Sequence, residues 1–158
     1  MTPAHLQPGI GLRPGGERPD LEPAVAVLFR ALYASVAAHS RLGLDVVVDV
    51  AHHDRYATKL DTRALAASAL AGLPVLLVRV RCPREVARQR RLQTWGDDGT
   101  TSGPHGTDAA AAWDEALDSR PHDLVLDTAQ LTPSACVAAI AARLDGPTSA
   151  LFGGVSSR

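Results

Sequence analysis

The sequence is poor in lysine, sulfur and aromatic rings. Lys59 is its only lysine, set against 15 arginines; there are two cysteines and one methionine, and Phe, Trp and Tyr occur twice each. Cys82 and Cys136 have neither the spacing of a zinc site nor a nearby resolving partner, so they read as small buried thiols, without a disulfide framework. There is no Gly-x-Ser-x-Gly elbow, and neither cysteine lies near a histidine, which removes the usual signs of nucleophilic catalysis. No apolar run approaches the roughly 20 residues of a spanning helix, and the N-terminus lacks the apolar stretch of a signal peptide. The expected compartment is therefore the cytoplasm, with no membrane partner. Sixteen basic against 17 acidic residues leave a formal charge of -1, which gives no overall basic surface for nucleic acid. The excess of arginine over lysine has a bland explanation in GC-rich coding.

What is present suffices for one domain. The chain has 158 residues, 46% of them hydrophobic and 21% charged. A domain of that length removes roughly 70% of its unfolded surface from water without metal or disulfide support. Residues 1–20 are rich in Pro and Gly and read as loop. Leu21, Val25, Leu28, Phe29, Leu32 and Val36 then recur at helical spacing, with Pro23 in the first turn and Gly43 closing the end. The β-branched run Leu44 to Val50 predicts a buried strand, and Pro74 to Val80 a second. Between them, Asp61 caps a helix that Gly72 ends. Pro83 opens a third helix whose apolar stripe is weak, so much of it projects from the core. Trp95 to Thr107 reads as a long mobile loop, followed by a helix over 108–118, a short strand over Leu124 to Leu126, and a final helix capped by Thr132-Pro133 with Val137, Ile140 and Leu144 on its face. Residues 145–158 read as a flexible tail behind a single domain over 1–144. The alternation predicts an α/β fold with a parallel sheet covered on both faces.

In such sheets ligands bind beyond the carboxyl ends of the strands. Asp49, followed by His52, His53 and Asp54, stands at one such end, where a carboxylate can hold Mg²⁺ or simply cap a turn. His52, His53 and Asp54 could contact a substrate, ligate a metal as in a hydrolase, or belong to a solvated loop. After the second strand, Arg84, Arg88, Arg90 and Arg91 could neutralise phosphate oxygens or form a solvated basic face. Asp127-Thr128 ends the last strand at the same edge and could contact a base or cap a turn.

The segments Pro8 to Glu17, Val46 to Val50, Leu73 to Cys82 and His122 to Thr128 resemble, in order and spacing, the chloramphenicol phosphotransferase family, from about residue 6 to residue 144. The resemblance implies a three-layer parallel sheet of P-loop kinase type, ATP with Mg²⁺, and phosphorylation of a small-molecule hydroxyl. It places Asp49 at the acidic strand end as a catalytic and metal-holding group, and Arg90 at a catalytic lid-helix position. Arg88, Arg91, Asp127 and Thr128 fall on the nucleotide side, and His52, His53 and Asp54 on the substrate side. The sequence departs from the pattern in one large respect. No G-x-x-x-x-G-K-[ST] loop occurs, Lys59 follows no glycine, and the first, central strand is missing. The simplest expectation is that Met1 is an internal start and that a longer product carries the missing few dozen residues. As it stands the chain reads as an inactive or incomplete kinase. The alternative is a non-catalytic remnant that binds a small molecule or a partner, and the open strand edges favour a homodimer.

Overall fold

The computed structural model describes residues 19–53, 56–96, 120–144 and 146. Asp54, the glycine-rich stretch over 9–16, the helix expected over 108–118 and most of the expected lid and tail lie outside the described residues.

The longest helix, α1 (Glu22–Arg41), follows a 3-10 turn at Pro19–Leu21 and carries proline in its first turn. Its buried stripe is Glu22, Val25, Phe29, Tyr33 and Ala37, while Leu28 and Leu32 of the expected face are 45% and 36% exposed. The apolar residues of α1 define two overlapping stripes, and the neighbour decides which of them is covered. That neighbour is α2 (Thr62–Ala69), whose Asp61 carboxylate accepts from the Arg63 and Ala64 N–H groups at 3.0 Å, as the sequence predicts for its cap. Val25, Phe29, Tyr33 and Ala37 form the core with Tyr56, Ala66 and Leu70. Val50, Leu73, Val75 and Leu77 pack on it and carry it toward the sheet. By length and composition α1 would also suffice to cross a membrane, contrary to the sequence expectation; one stripe of it packs in the core and the rest is largely exposed.

Two strands are present among the described residues, β1 (Val78–Arg81) and β2 (Leu124–Asp127), paired in parallel with Val78 opposite Leu124 and Arg81 opposite Asp127. The Asp123 carboxylate accepts from the Leu77 N–H at 2.8 Å and fixes where the ladder begins, so Pro74 to Leu77 precede the strand. The strand expected over Leu44 to Val50 is not formed. Strand geometry persists through pairing, and no neighbour stands beside this segment among the described residues; Val47 is 98% exposed. The sheet is consequently a two-stranded ladder, not the expected three-layer sheet covered on both faces, with Val80 65% and Val125 50% exposed.

Helix α3 (Arg84–Trp95) ends at Gly96, whose φ of 69° permits the left-handed turn that stops it. None of its described side chains is buried, as its weak stripe predicts. Helix α4 (Pro133–Leu144) lies against β2, capped by the Thr132 hydroxyl, which accepts from Ala135 N at 3.2 Å. It also has no buried side chain, and Val137 and Leu144 are each 66% exposed.

Candidate functional site

The carboxyl ends of β1 and β2 bring three of the expected residues together. Thr128 leaves β2 by donating its N–H and its hydroxyl to the Arg81 carbonyl, at 2.9 and 3.1 Å. Asp127 closes the turn that follows: its carboxylate accepts from Ala129 N at 2.9 Å, and its carbonyl accepts from the Gln130 and Leu131 N–H groups. Arg90 reaches across from α3, donating to the Thr128 carbonyl at 2.6 Å and to its hydroxyl at 3.2 Å. The same guanidinium lies 3.6 Å from Cys82 Sγ. Below it opens a groove of about 590 Å³ lined by Arg90, Thr128, Gln130, Thr132 and Cys136. The groove is shallow and open to solvent, and brings together an arginine, the turn after β2 and the start of α4.

The other arginines of α3 are placed differently. Arg88 pairs with Glu85 at 2.9 Å, a hydrogen bond that holds the Glu85 carboxyl below its ordinary range. Arg91 is exposed on the same helix. Asp49 is exposed in the unpaired segment.

His52 and His53 are buried where the turn after the unpaired segment enters the α1–α2 core. His52 Nε2 lies 2.7 Å from Tyr33 Oη and Nδ1 lies 2.8 Å from Thr62 Oγ1, so both ring nitrogens are engaged by hydroxyls. Burial lowers His52 to about 4, and the nearby Arg63 and Arg120 charges act in the same direction, so the ring is neutral at neutral pH. Burial likewise raises Tyr33 to about 12. His53 stacks on Tyr56 with ring centroids 4.1 Å apart.

One residue passed over in the sequence organises this region. Glu22 is 1% exposed, and its carboxylate accepts from the Ala57 and Thr58 N–H groups at 2.8 Å each and from the Thr58 hydroxyl at 2.6 Å. Burial alone would raise its pKa; the Thr58 and Ala57 hydrogen bonds outweigh it and the net shift is downward. A glutamate in the first turn of a helix ordinarily answers the helix dipole at the surface, so nothing local marked Glu22 as buried. Tyr33, Thr58 and Thr62 were likewise unmarked, because their partners lie 10 to 36 residues away.

Among the described residues no group of three or more His, Cys, Asp or Glu side chains could hold a metal ion. Lys59, the only ammonium, sits in a turn closed by its own N–H on the Tyr56 carbonyl, at a left-handed φ of 54°.

Residues 1–145 match the family described as chloramphenicol phosphotransferase-like protein, and the chain belongs to that family. Membership suggests a kinase-like function, and the family's usual cofactors are ATP and Mg²⁺. No curated protein and no solved structure matches the chain.

Proposed function

We propose that this chain provides the base side and the acceptor side of an ATP-dependent kinase for a small-molecule hydroxyl, and that transfer requires a phosphate-binding loop supplied from outside these 158 residues. The observation that carries the reading is Arg90 seated on Thr128 at the carboxyl edge of the parallel strands, over the groove. In that reading the Asp127-Thr128 turn contacts the base, while Arg90, flanked by Arg88 and Arg91, offsets phosphate charge. Asp49 is the carboxylate assigned to Mg²⁺. A kinase metal is held by one or two carboxylates together with the substrate phosphates, so a lone exposed Asp49 binds it only once the phosphates are in place. The acceptor side falls to the His52 to Asp54 stretch of the sequence, where the buried His52 and His53 rings, held by Tyr33, Thr62 and Tyr56, anchor the chain and do not themselves touch an acceptor. Phosphoryl transfer is catalysed mainly by positioning and charge stabilisation, which is why an incomplete phosphate cradle leaves these residues without a reaction to accelerate.

A second reading is favoured by the missing lysine and the unpaired 44–50 segment: a non-catalytic remnant that binds a small molecule or a partner. Calorimetric titration of Mg·ATP separates the two, run on the 158-residue protein beside a version extended upstream in frame. Binding by the extended form alone, weakened by Asp49→Asn, supports the incomplete kinase. Binding by neither form supports the remnant. Tight binding by the 158-residue chain would show that these 158 residues suffice for the phosphates.

A further inference from the structure

The outer edge of β1 is open. In a parallel pair, alternate residues direct both backbone polar groups to one side; Leu77 and Arg81 direct theirs to the β2 side, so Val78 and Val80 direct theirs outward. No strand stands on that side among the described residues, and Val80 is 65% exposed. The same chain carries an extended β-branched segment with no ladder, Asp45-Val46-Val47-Val48-Asp49, whose Val46 and Val47 are 40% and 98% exposed. Such pairs of unsatisfied edges are templates for association.

We infer that β1 of one copy pairs with residues 45–49 of a second copy, and reciprocally, to give a closed twofold dimer. Two complementarities select this occupant. The first is pleat: Val46 and Val48 alternate with Asp45, Val47 and Asp49 as Val78 and Val80 alternate with Arg79 and Arg81, so apolar residues meet apolar residues on one face. The second is charge: with Val46 and Val48 set in parallel against Val78 and Val80, Asp49 of one copy falls opposite Arg81 of the other. Arg81 is available for it: its side chain is 46% exposed and it holds Asp127 only at 3.7 Å. In the antiparallel direction the same valines would bring Asp45, not Asp49, opposite Arg81, so a charge swap at Asp49 reads the parallel pairing. Pairing 45–49 with another copy of itself in register would instead oppose like charges, which disfavours that arrangement. Because each copy offers both surfaces, two pairings close the assembly. The inference goes beyond the kinase reading, since it needs no nucleotide.

The test is the mass in solution by sedimentation equilibrium over a wide concentration range. The wild type should reach twice the 16.6 kDa of one chain. Val80→Pro removes an outward N–H while leaving the β2-side bonds of Arg81 in place, and should return the single mass with an unchanged circular dichroism spectrum. Asp49→Arg, at an exposed position that cannot disturb the core, should weaken the dimer at least tenfold, and adding Arg81→Asp in the same chain should restore it. A wild type that stays at the single mass throughout overturns the inference. So does a dimer that survives both Val80→Pro and Asp49→Arg, and so do open-ended assemblies larger than two.

Discussion

Arg90 fastens α3 to the end of β2 through Thr128, at 2.6 Å to its carbonyl and 3.2 Å to its hydroxyl. Helix α3 has no buried side chain among those described, so this contact decides how the helix sits over the groove. Replacing Arg90 with alanine should therefore release α3 while sparing the rest of the fold. Global stability should fall by no more than about 3 kcal/mol, the upper range for a hydrogen bond from a charged group, since the two bonds lie at an exposed site. Amide exchange across Arg84–Trp95 should nevertheless accelerate at least tenfold, whereas exchange in α1 should not change.

Glu22 should be far less tolerant. Truncation to alanine leaves the Ala57 and Thr58 N–H groups without their acceptor, at a cost of about 1–3 kcal/mol each in a buried setting. Glu22→Gln keeps one acceptor oxygen and should fall between the wild type and Glu22→Ala in urea denaturation. Since the folded carboxyl is held below its ordinary 4.5, its contribution is fully present above that pH. It is lost as the pH falls through the lower folded value.

His52 should govern an earlier part of the acid limb. An unfolded histidine takes up its proton near 6.5, whereas the buried ring does so only near 4. Protons therefore favour the unfolded chain between those values, and stability should drop by about 3 kcal/mol across that window and then level off with respect to this group. His52→Gln, which keeps one donor and one acceptor for Tyr33 and Thr62, should flatten the slope between 6.5 and 4. A slope that survives the substitution would assign it to other groups.

A contrasting outcome is expected on α4. Val137 and Leu144 are largely exposed, so Val137→Ser and Leu144→Ser should each change the unfolding free energy by no more than about 0.5 kcal/mol. Thermal and urea unfolding of the single variants measures this. A larger loss would mean that this face is covered in solution.

Local signals in the sequence located the described helices well, because capping is a matter of one or two residues. Asp61 and Thr132 accept from the N–H groups the sequence assigns to them, and Pro23 stands in a first turn. The convergence of Arg90 with Thr128 followed from the general placement of strand ends and helix starts in parallel sheets. Properties that depend on distant partners were not legible. Leu44 to Val50 has every residue preference of a strand, yet a ladder requires a second strand. Tyr33 and Ala37 are covered instead of Leu28 and Leu32 because α2, Val50, His52 and Tyr56 lie on that side. The adjacent histidines suggested a polar loop; hydroxyls from two helices make His52 an interior residue.

The distribution of buried side chains carries a last consequence, for how the molecule comes apart. Among the described residues most of them belong to α1, α2 and the stretches at Leu21, His52, His53 and Tyr56 beside them, whereas the ladder contributes Arg79 and Leu126 and α4 contributes none. Cooperativity on melting follows shared burial, so the helical pair should lose its structure as one unit at the higher temperature. The ladder and α4 should fray beforehand, and a calorimetric scan would then show a broad shoulder ahead of the main peak, where a single transition would require both parts to share one core.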